Sequence, residues 1–253
     1  MWNRPQLMMD VADLLLTAGA AALLVAMAVG VARLPLFPIR GVTVAGPLRE
    51  VRRDEIEHSL YGSLRGNFFS VDLEALRKSL ERLPWVRRVE ARRRWPASIE
   101  LSLEEHVPVA SWGRADGWLV NSHGEIFMAG MSAAAQEALP VFSGPANFVP
   151  EMLDTYRLAR DFMRRIGRAP RELSVSRRLA LRLALDDGMI VELGRQQAGA
   201  PIRERLERFV EFYPAILTAG GRRPEAVDMR YPNGFALRTG AAASPESESE
   251  GRP

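Results

Sequence analysis

The longest apolar run in the chain lies close to its N-terminus. No charged residue occurs between Asp13 and Arg33, and residues 14–32 are aliphatic or small apart from one threonine. As a helix these 19 residues span about 28 Å, close to the roughly 30 Å core of a bilayer. A soluble core helix of this length normally carries a polar stripe. The run therefore predicts a transmembrane helix over 14–32, preceded by a short segment, 1–13.

The competing interpretation of this run is a cleavable signal peptide, because Gly30-Val31-Ala32 has the small-x-small form of a cleavage site. The run is longer than a typical signal core, and Asp10 and Asp13 make the preceding segment acidic, so we expect the helix to be retained. Orientation stays open at this point. Arginines crowd the C-terminal side of the helix, which by the positive-inside rule alone favours a cytoplasmic body, but long domains translocate despite such charge.

Residues 37–106 show the pattern of a small β-α-α-β-β module. Its strands are marked by β-branched residues or by alternation of apolar and charged residues, and its helices by leucines three or four apart. The side chain of Asp72 is placed to cap the second helix. Across the last hairpin, Arg92 and Arg94 are expected to face glutamates. The predicted elements are strand 39–45, helix 53–64, helix 73–83, strand 85–94 and strand 99–103.

Residues 107–238 alternate short strand patterns with two amphipathic helices. The strands are separated by glycine-containing turns, among which Asp187-Gly188 is a strong hairpin signal. This order predicts a mixed, mostly antiparallel α+β domain, so that the whole chain is α+β behind an N-terminal helix. The predicted elements are strands 109–112, 118–121 and 126–128, helix 150–166, strands 173–175, 179–185 and 190–193, helix 201–217, and strands 227–231 and 235–238.

The amino-acid composition excludes several classes of catalytic and metal-binding chemistry. The chain has no cysteine, which excludes disulfides, thiol catalysis and thiolate metal sites. Its three histidines are too far apart in sequence for a metal-protease motif, and no phosphate-binding loop or serine elbow occurs. We therefore expect no enzymatic activity, no metal and no cofactor. Two carboxylates can still meet from anywhere in a chain, so an envelope enzyme is the alternative.

The basic residues are almost all arginine, and the net charge is only +3. Such a small excess is typical of a solvated surface, and we expect no nucleic-acid and no small-molecule ligand. A cytoplasmic DNA-binding domain is the alternative that the arginines behind the helix leave open. The remaining class of function is recognition. A terminal strand at a sheet edge can accept a partner strand, whose backbone supplies affinity and whose side chains supply specificity, and we expect the predicted strand Val227–Tyr231 to be such an edge.

Several motifs in fixed order resemble the FtsQ/DivIB family of bacterial cell division proteins. The resemblance covers residues 37–238 and implies a POTRA domain at 37–106 and an FtsQ-type β domain at 107–238. The Ser-, Glu- and Ala-rich tail, 239–253, is expected to be disordered on composition. The motifs are FPIRGVTVAG, GNFFSVDL, LPWVRRVEARRRWP, IELSLEEHVPVASW, LRLALDDGMIVELG, RLERFVEFYPAIL and AVDMRYPNGFAL.

The resemblance implies a scaffold of the division machinery that recruits and links other division proteins. It implies FtsB and FtsL as partners, and an inner-membrane protein at the septum with segment 1–13 in the cytoplasm and the body in the periplasm. By position, it implies that the partner contacts Arg177, Val227, Met229, Arg230 and Tyr231. Another POTRA-type envelope assembly factor is the alternative, although the chain lacks the long series of barrel strands of an outer-membrane assembly protein.

Overall fold

We describe the fold from a computed structural model, which covers residues 5–33, 37–197, 199–218, 224–231 and 234–239. Contacts between residues divide the chain into two units, Met1–His106 and Val107–Pro253, and each is described by itself. The predicted tail, 239–253, lies outside the described residues except for Thr239. The first four residues of the predicted segment 1–13 also lie outside them.

The N-terminal helix α1 spans Pro5–Arg33. Within it, Met9–Val31 is long and apolar enough to cross a membrane, and none of this stretch is buried by the protein. The leucines along it expose about two thirds of their surface, for example Leu16 at 71%. A helix that is apolar on all sides and is left unburied by the described part of the chain is suited to lipid. The helix therefore indicates membrane anchoring.

The rest of the first unit is a three-stranded sheet covered by two helices. Strand order is β1-β3-β2, with β1 parallel to β3 and β2 antiparallel to it. Within the β2–β3 hairpin, Arg92 lies opposite Glu100 as predicted, whereas Arg94 lies opposite Ser98 and reaches a Glu100 oxygen diagonally, at 3.8 Å from its Nη1. The elements are β1 (Gly41–Ala45), α2 (Arg53–Tyr61), α3 (Leu73–Leu80), β2 (Val86–Arg94) and β3 (Ser98–Glu105).

Local signals in the sequence explain these elements. The Asp72 carboxylate caps α3 by accepting hydrogen bonds from the amides of Glu74 (2.9 Å) and Ala75 (3.0 Å). In β3 the side chains of Ile99, Leu101 and Leu103 are all buried, because alternate residues of a strand face the helices. The core of this unit is aliphatic.

The second unit is a nine-stranded mixed sheet with order β12-β11-β10-β9-β8-β7-β4-β5-β6. Five of its eight strand pairs are antiparallel, and three are parallel. The elements are β4 (Pro108–Trp112), β5 (Trp118–Asn121), β6 (Ile126–Met128), α4 (Ala133–Ala138), β7 (Val141–Ser143), α5 (Val149–Arg164), β8 (Pro170–Val175), β9 (Leu181–Leu185), β10 (Ile190–Gly194), α6 (Ile202–Thr218), β11 (Ala226–Asp228) and β12 (Ala236–Arg238).

Helices α5 and α6 pack against each other, α5 also on β8 and α6 also on β10. The fold class, a POTRA-type β-α-α-β-β module followed by a mixed and mostly antiparallel α+β unit, is confirmed. Several details differ from the sequence prediction. Strand β7 was not predicted, and β11 ends at Asp228, three residues before the end of the predicted strand 227–231. Leu179 lies outside β9, in a tight turn with φ 58° that leaves 43% of its surface exposed.

Candidate partner-binding surface

The candidate surface lies where the large sheet ends on its β12 side. The sequence prediction made Val227–Tyr231 the free edge strand, and the structure corrects this. Strand β11 pairs with β10 on one side and with β12 on the other, so its backbone groups are already used by the sheet. The edge is β12, which is three residues long and pairs only with β11 among the described strands. Any added strand would therefore pair with β12.

Two of the predicted contact residues, Arg230 and Tyr231, are exposed beside this edge. Tyr231 exposes 55% of its surface, and the Arg230 side chain exposes 62%. The Arg230 guanidinium donates through Nε to both Asp228 oxygens, at 2.8 and 3.0 Å, and its backbone amide donates to the same carboxylate. These hydrogen bonds lower the pKa of Asp228 and raise the pKa of Arg230. The ion pair holds the Arg230 guanidinium in place, while most of the Arg230 side chain stays exposed to a ligand.

Val227 and Met229, by contrast, are fully buried and belong to the hydrophobic core. Their side chains alternate with Asp228 and Arg230 and face the opposite side of the chain. A partner bound at the surface cannot touch them directly. Their structural contribution is to hold the exposed pair in place, since a buried side chain at every second position fixes the register of the segment.

The backbone of Gly194, at the end of β10, lies close to the side chain of Arg230. This residue has φ +71°, and a Cβ on it would lie 2.8 Å from Arg230 Cγ. The register of β10 against β9 shifts between Glu192 and Gly194, which marks a bulge. A bulge changes the direction of a strand locally, and glycine allows both the turn of the backbone and the close contact.

Next to Gly194 lies a buried arginine. Arg205 of α6 is only 2% exposed, and its Nη1 donates to the carbonyl oxygens of Leu193 and, at 2.8 Å, of Arg195. Its Nε has no hydrogen-bond partner among the described residues. Burial, together with the charge of Arg208, lowers the pKa of Arg205. An arginine in the core is unusual, and here it holds the end of β10 in its bent conformation.

These elements enclose a basic cleft of about 360 Å³. Its lining includes four arginines from four separate segments, so the cleft suits an acidic side chain or another anion. Arg177, the predicted contact residue, is exposed in the turn between β8 and β9, and its neighbour Arg178 is the one that lines the cleft. The sequence prediction missed three arginines of this lining, because only the fold brings them together. They are Arg178, Arg195 and Arg205.

Arg230 also lines a second cleft, of about 340 Å³, with residues of β10, β11 and β12. Leu237 contributes an apolar side chain to it, and Phe235 packs at 5.9 Å on Phe212 of α6, which is 41% exposed. Apolar and aromatic surface beside arginine and tyrosine is typical of the centre of a protein–protein interface. In the described part of the chain, no group of three His, Asp or Glu side chains is arranged to hold a metal ion.

Comparison with known proteins agrees with this division of the chain. Residues 37–106 match the family description "POTRA domain, FtsQ-type", and residues 110–230 match "Cell division protein FtsQ/DivIB, C-terminal". A cell division protein FtsQ from Nitrosospira multiformis is 35% identical over 243 residues, which is 94% of this chain and 99% of the relative. Those from Burkholderia pseudomallei (36% identity, 81% of this chain, 80% of the relative) and Bordetella pertussis (31%, 100%, 98%) are similar.

Proposed function

The chain belongs to the FtsQ/DivIB family of bacterial cell division proteins, and from this membership we propose that it is a membrane-anchored scaffold that binds other division proteins without catalysing a reaction. The partner is a strand-forming segment of a small membrane-anchored protein. The family resemblance points to FtsB, with FtsL in the same complex. The strand pairs with β12, while Arg230 and Tyr231 bind its side chains.

The observation that most supports this proposal is the composition of the β12 edge. A bare edge strand is a hazard that proteins normally cover or use. Here the edge is short, it is flanked by an exposed tyrosine and a fixed arginine, and it adjoins a basic cleft and a second cleft lined by both charged and apolar residues. Backbone pairing with side-chain anchors is a common mode of peptide recognition.

Hydrogen exchange provides the direct test, because the sheet offers its own control. The full chain in lipid nanodiscs is compared with and without a purified FtsB–FtsL complex. Strand addition at β12 is expected to slow exchange of the amides of residues 235–238. Strand β6 forms the opposite edge of the same sheet and should exchange at an unchanged rate. If the partner slows exchange at β6, or leaves exchange at β12 unchanged, pairing at this edge is refuted.

Side-chain substitutions test the anchors. Tyr231→Ala and Arg230→Glu are each expected to cost on the order of 2 kcal/mol of binding, about thirtyfold in affinity. Trp118→Ala and Arg164→Glu are matched controls, since both residues are exposed and lie on β5 and α5, away from this edge. Thermal melts of every variant separate lost binding from lost folding. Folded Tyr231 and Arg230 variants that bind as tightly as the controls would place the interface elsewhere.

We also propose that α1 is retained as a single inner-membrane anchor, with the body in the periplasm at the septum. Family membership and the unburied apolar helix support this placement. A periplasmic reporter fused to the C-terminus should be active, and amino-terminal sequencing should find an uncleaved chain. A mature chain that begins near Leu34 would contradict the anchor, and a reporter active only in the cytoplasm would contradict the topology.

A further inference from the structure

The first unit carries four aromatic side chains in one cluster, Phe37, Phe68, Phe69 and Trp95, which we call the aromatic cluster. Phe37 and Phe69 meet edge to face with ring centroids 5.1 Å apart, and Phe68 meets Phe69 at 5.2 Å and Trp95 at 5.8 Å. Only Phe68 is buried. Trp95 exposes 68% of its surface and Phe69 exposes 43%. The cluster therefore presents large apolar rings to its surroundings.

The protein holds these exposed rings on a rigid support. Asn67 is buried, and its side-chain oxygen accepts hydrogen bonds at 2.9 Å from the amides of Phe69 and Ser70. Arg93 of β2 ties the hairpin to the same loop, donating through Nε to the Phe68 carbonyl at 2.8 Å and through Nη2 to the Val71 carbonyl at 2.7 Å. The rings are thus fixed in an exposed position, which suits a surface that binds an apolar medium.

The short segment between α1 and Phe37 places the aromatic cluster close to the bilayer in which α1 would lie. Helix α1 ends at Arg33, and Phe37 follows four residues later. Four residues reach at most about 14 Å when fully extended. The headgroup layer on each side of a bilayer is about 5–8 Å deep. If Met9–Val31 crosses the membrane, the aromatic cluster therefore lies at or just above the membrane surface.

The side chains around the cluster have the matching chemistry. Tryptophan concentrates at membrane interfaces because its ring is amphipathic. Three exposed arginines lie close to the cluster along the chain or through a backbone hydrogen bond. Arg65 precedes the aromatic loop, Arg94 precedes Trp95, and the Arg40 amide donates at 2.8 Å to the carbonyl of Ala97 in the Trp95 turn. Arginines beside a membrane surface are attracted to anionic headgroups.

From this arrangement we infer that the aromatic cluster is a membrane-docking surface. Phe69 and Trp95 insert into the headgroup–acyl boundary of the leaflet from which α1 emerges, and the neighbouring arginines bind anionic headgroups. This contact would restrain the first unit against the bilayer. The inference rests on the membrane anchoring proposed above.

Brominated lipids, which quench nearby tryptophan, test the inference directly. The full chain is reconstituted in nanodiscs of phosphatidylethanolamine and phosphatidylglycerol, in a Trp2→Phe background that removes the tryptophan preceding α1. Trp95 emission is obtained by subtracting a second variant that also carries Trp95→Phe. Brominated acyl chains are expected to reduce the Trp95 emission about twofold or more, and the lipid should shield it from aqueous iodide. Replacing Arg40 and Arg65 with glutamine should weaken this quenching.

The outcomes separate this inference from the anchor. If the chain stays in the membrane after alkaline extraction but Trp95 is quenched equally with and without bromine, the docking surface is refuted and the anchor stands. Shielding from iodide without bromine quenching would also refute it, in favour of a protein occupant. If alkaline extraction releases the chain, both proposals fail. Melting curves of the Trp95→Phe and arginine variants must match wild type, and Tyr61→Phe, at a 92% exposed aromatic outside the cluster, should leave the quenching unchanged.

Discussion

Replacing Gly194 with alanine tests whether the bulge in β10 shapes the partner-binding surface. The new Cβ would lie 2.8 Å from Cγ and 3.2 Å from Cδ of Arg230. The Arg230 stem would have to move, and the guanidinium could not keep both oxygens of Asp228. We expect Gly194→Ala to weaken partner binding severalfold and to destabilise the edge of the sheet locally.

The size of the effect follows from two separate contributions. A side chain at φ +71° costs about 1–2 kcal/mol of conformational energy. Displacing Arg230 adds the loss of an exposed ion pair, about 0.2–1 kcal/mol. Gly188 provides the matched control: its φ is +83°, and a Cβ there would meet nothing within 4 Å. Gly188→Ala therefore carries the first cost alone.

Hydrogen exchange of the amides of β10 and β11 measures both variants, since it reports local opening rather than global unfolding. Gly194→Ala should cost about 0.2–1 kcal/mol more than Gly188→Ala, and this excess should vanish when Arg230 is also replaced by alanine. Partner affinity should fall for Gly194→Ala and stay near wild type for Gly188→Ala. Equal costs at the two glycines, or an excess that survives without Arg230, would refute the proposed contact.

Three further predictions concern single contacts. The Glu105 carboxylate accepts from the amides of residues 49–51 at 2.9–3.3 Å, so Glu105→Ala should destabilise the first unit by about 2–3 kcal/mol and Glu105→Gln by about half as much, measured by chemical denaturation. The ion pair between Arg230 and Asp228 lowers the pKa of Asp228 from its ordinary 3.8. The stability that this ion pair contributes is therefore complete above pH 3.8 and is lost as the pH falls through the lowered pKa. In an acid titration, wild type should be more stable than Asp228→Asn by a constant amount above pH 3.8, and this difference should disappear as the pH falls through the lowered pKa. Leu179→Asn should raise stability by about 0.5–1 kcal/mol in a thermal melt, since asparagine tolerates φ 58° better than an exposed leucine does.

The elements that the sequence predicted well are those governed by local chemistry. Ile99, Leu101 and Leu103 alternate with polar residues, and the structure buries all three. At the Asp187-Gly188 turn the aspartate accepts a hydrogen bond from the Met189 amide at 2.9 Å, and the glycine adopts positive φ. Such signals lie within a few residues of the feature they predict, so a single sequence contains them.

The candidate site was predicted only in part, because strand order and burial are long-range properties. The pairing of β12 with β11 removed the predicted edge, and the Asn-Gly pair at 233–234 is a local hairpin signal that the edge prediction left unused. The burial of Val227 and Met229 was readable from their alternation with Asp228 and Arg230, and the family resemblance alone placed them in the interface. Arg205 offered no such signal, since arginine in an amphipathic helix normally faces solvent.

The position of Arg205 beside the partner-binding surface offers a reason for its burial. Burying a guanidinium with an unpartnered Nε is unfavourable, and the bulge and the positive-φ glycine beside it add local strain. These three features coincide at the end of β10, directly beneath Arg230. Strained and incompletely paired groups persist where the surrounding structure fixes them, and they concentrate at functional sites. Because these unfavourable features occur together, we infer that they shape the surface for a ligand. If so, Arg205→Met, which removes the buried charge while keeping similar volume, should preserve or raise stability and still weaken partner binding. Unchanged binding in a folded Arg205→Met variant would show that the arginine serves the core alone.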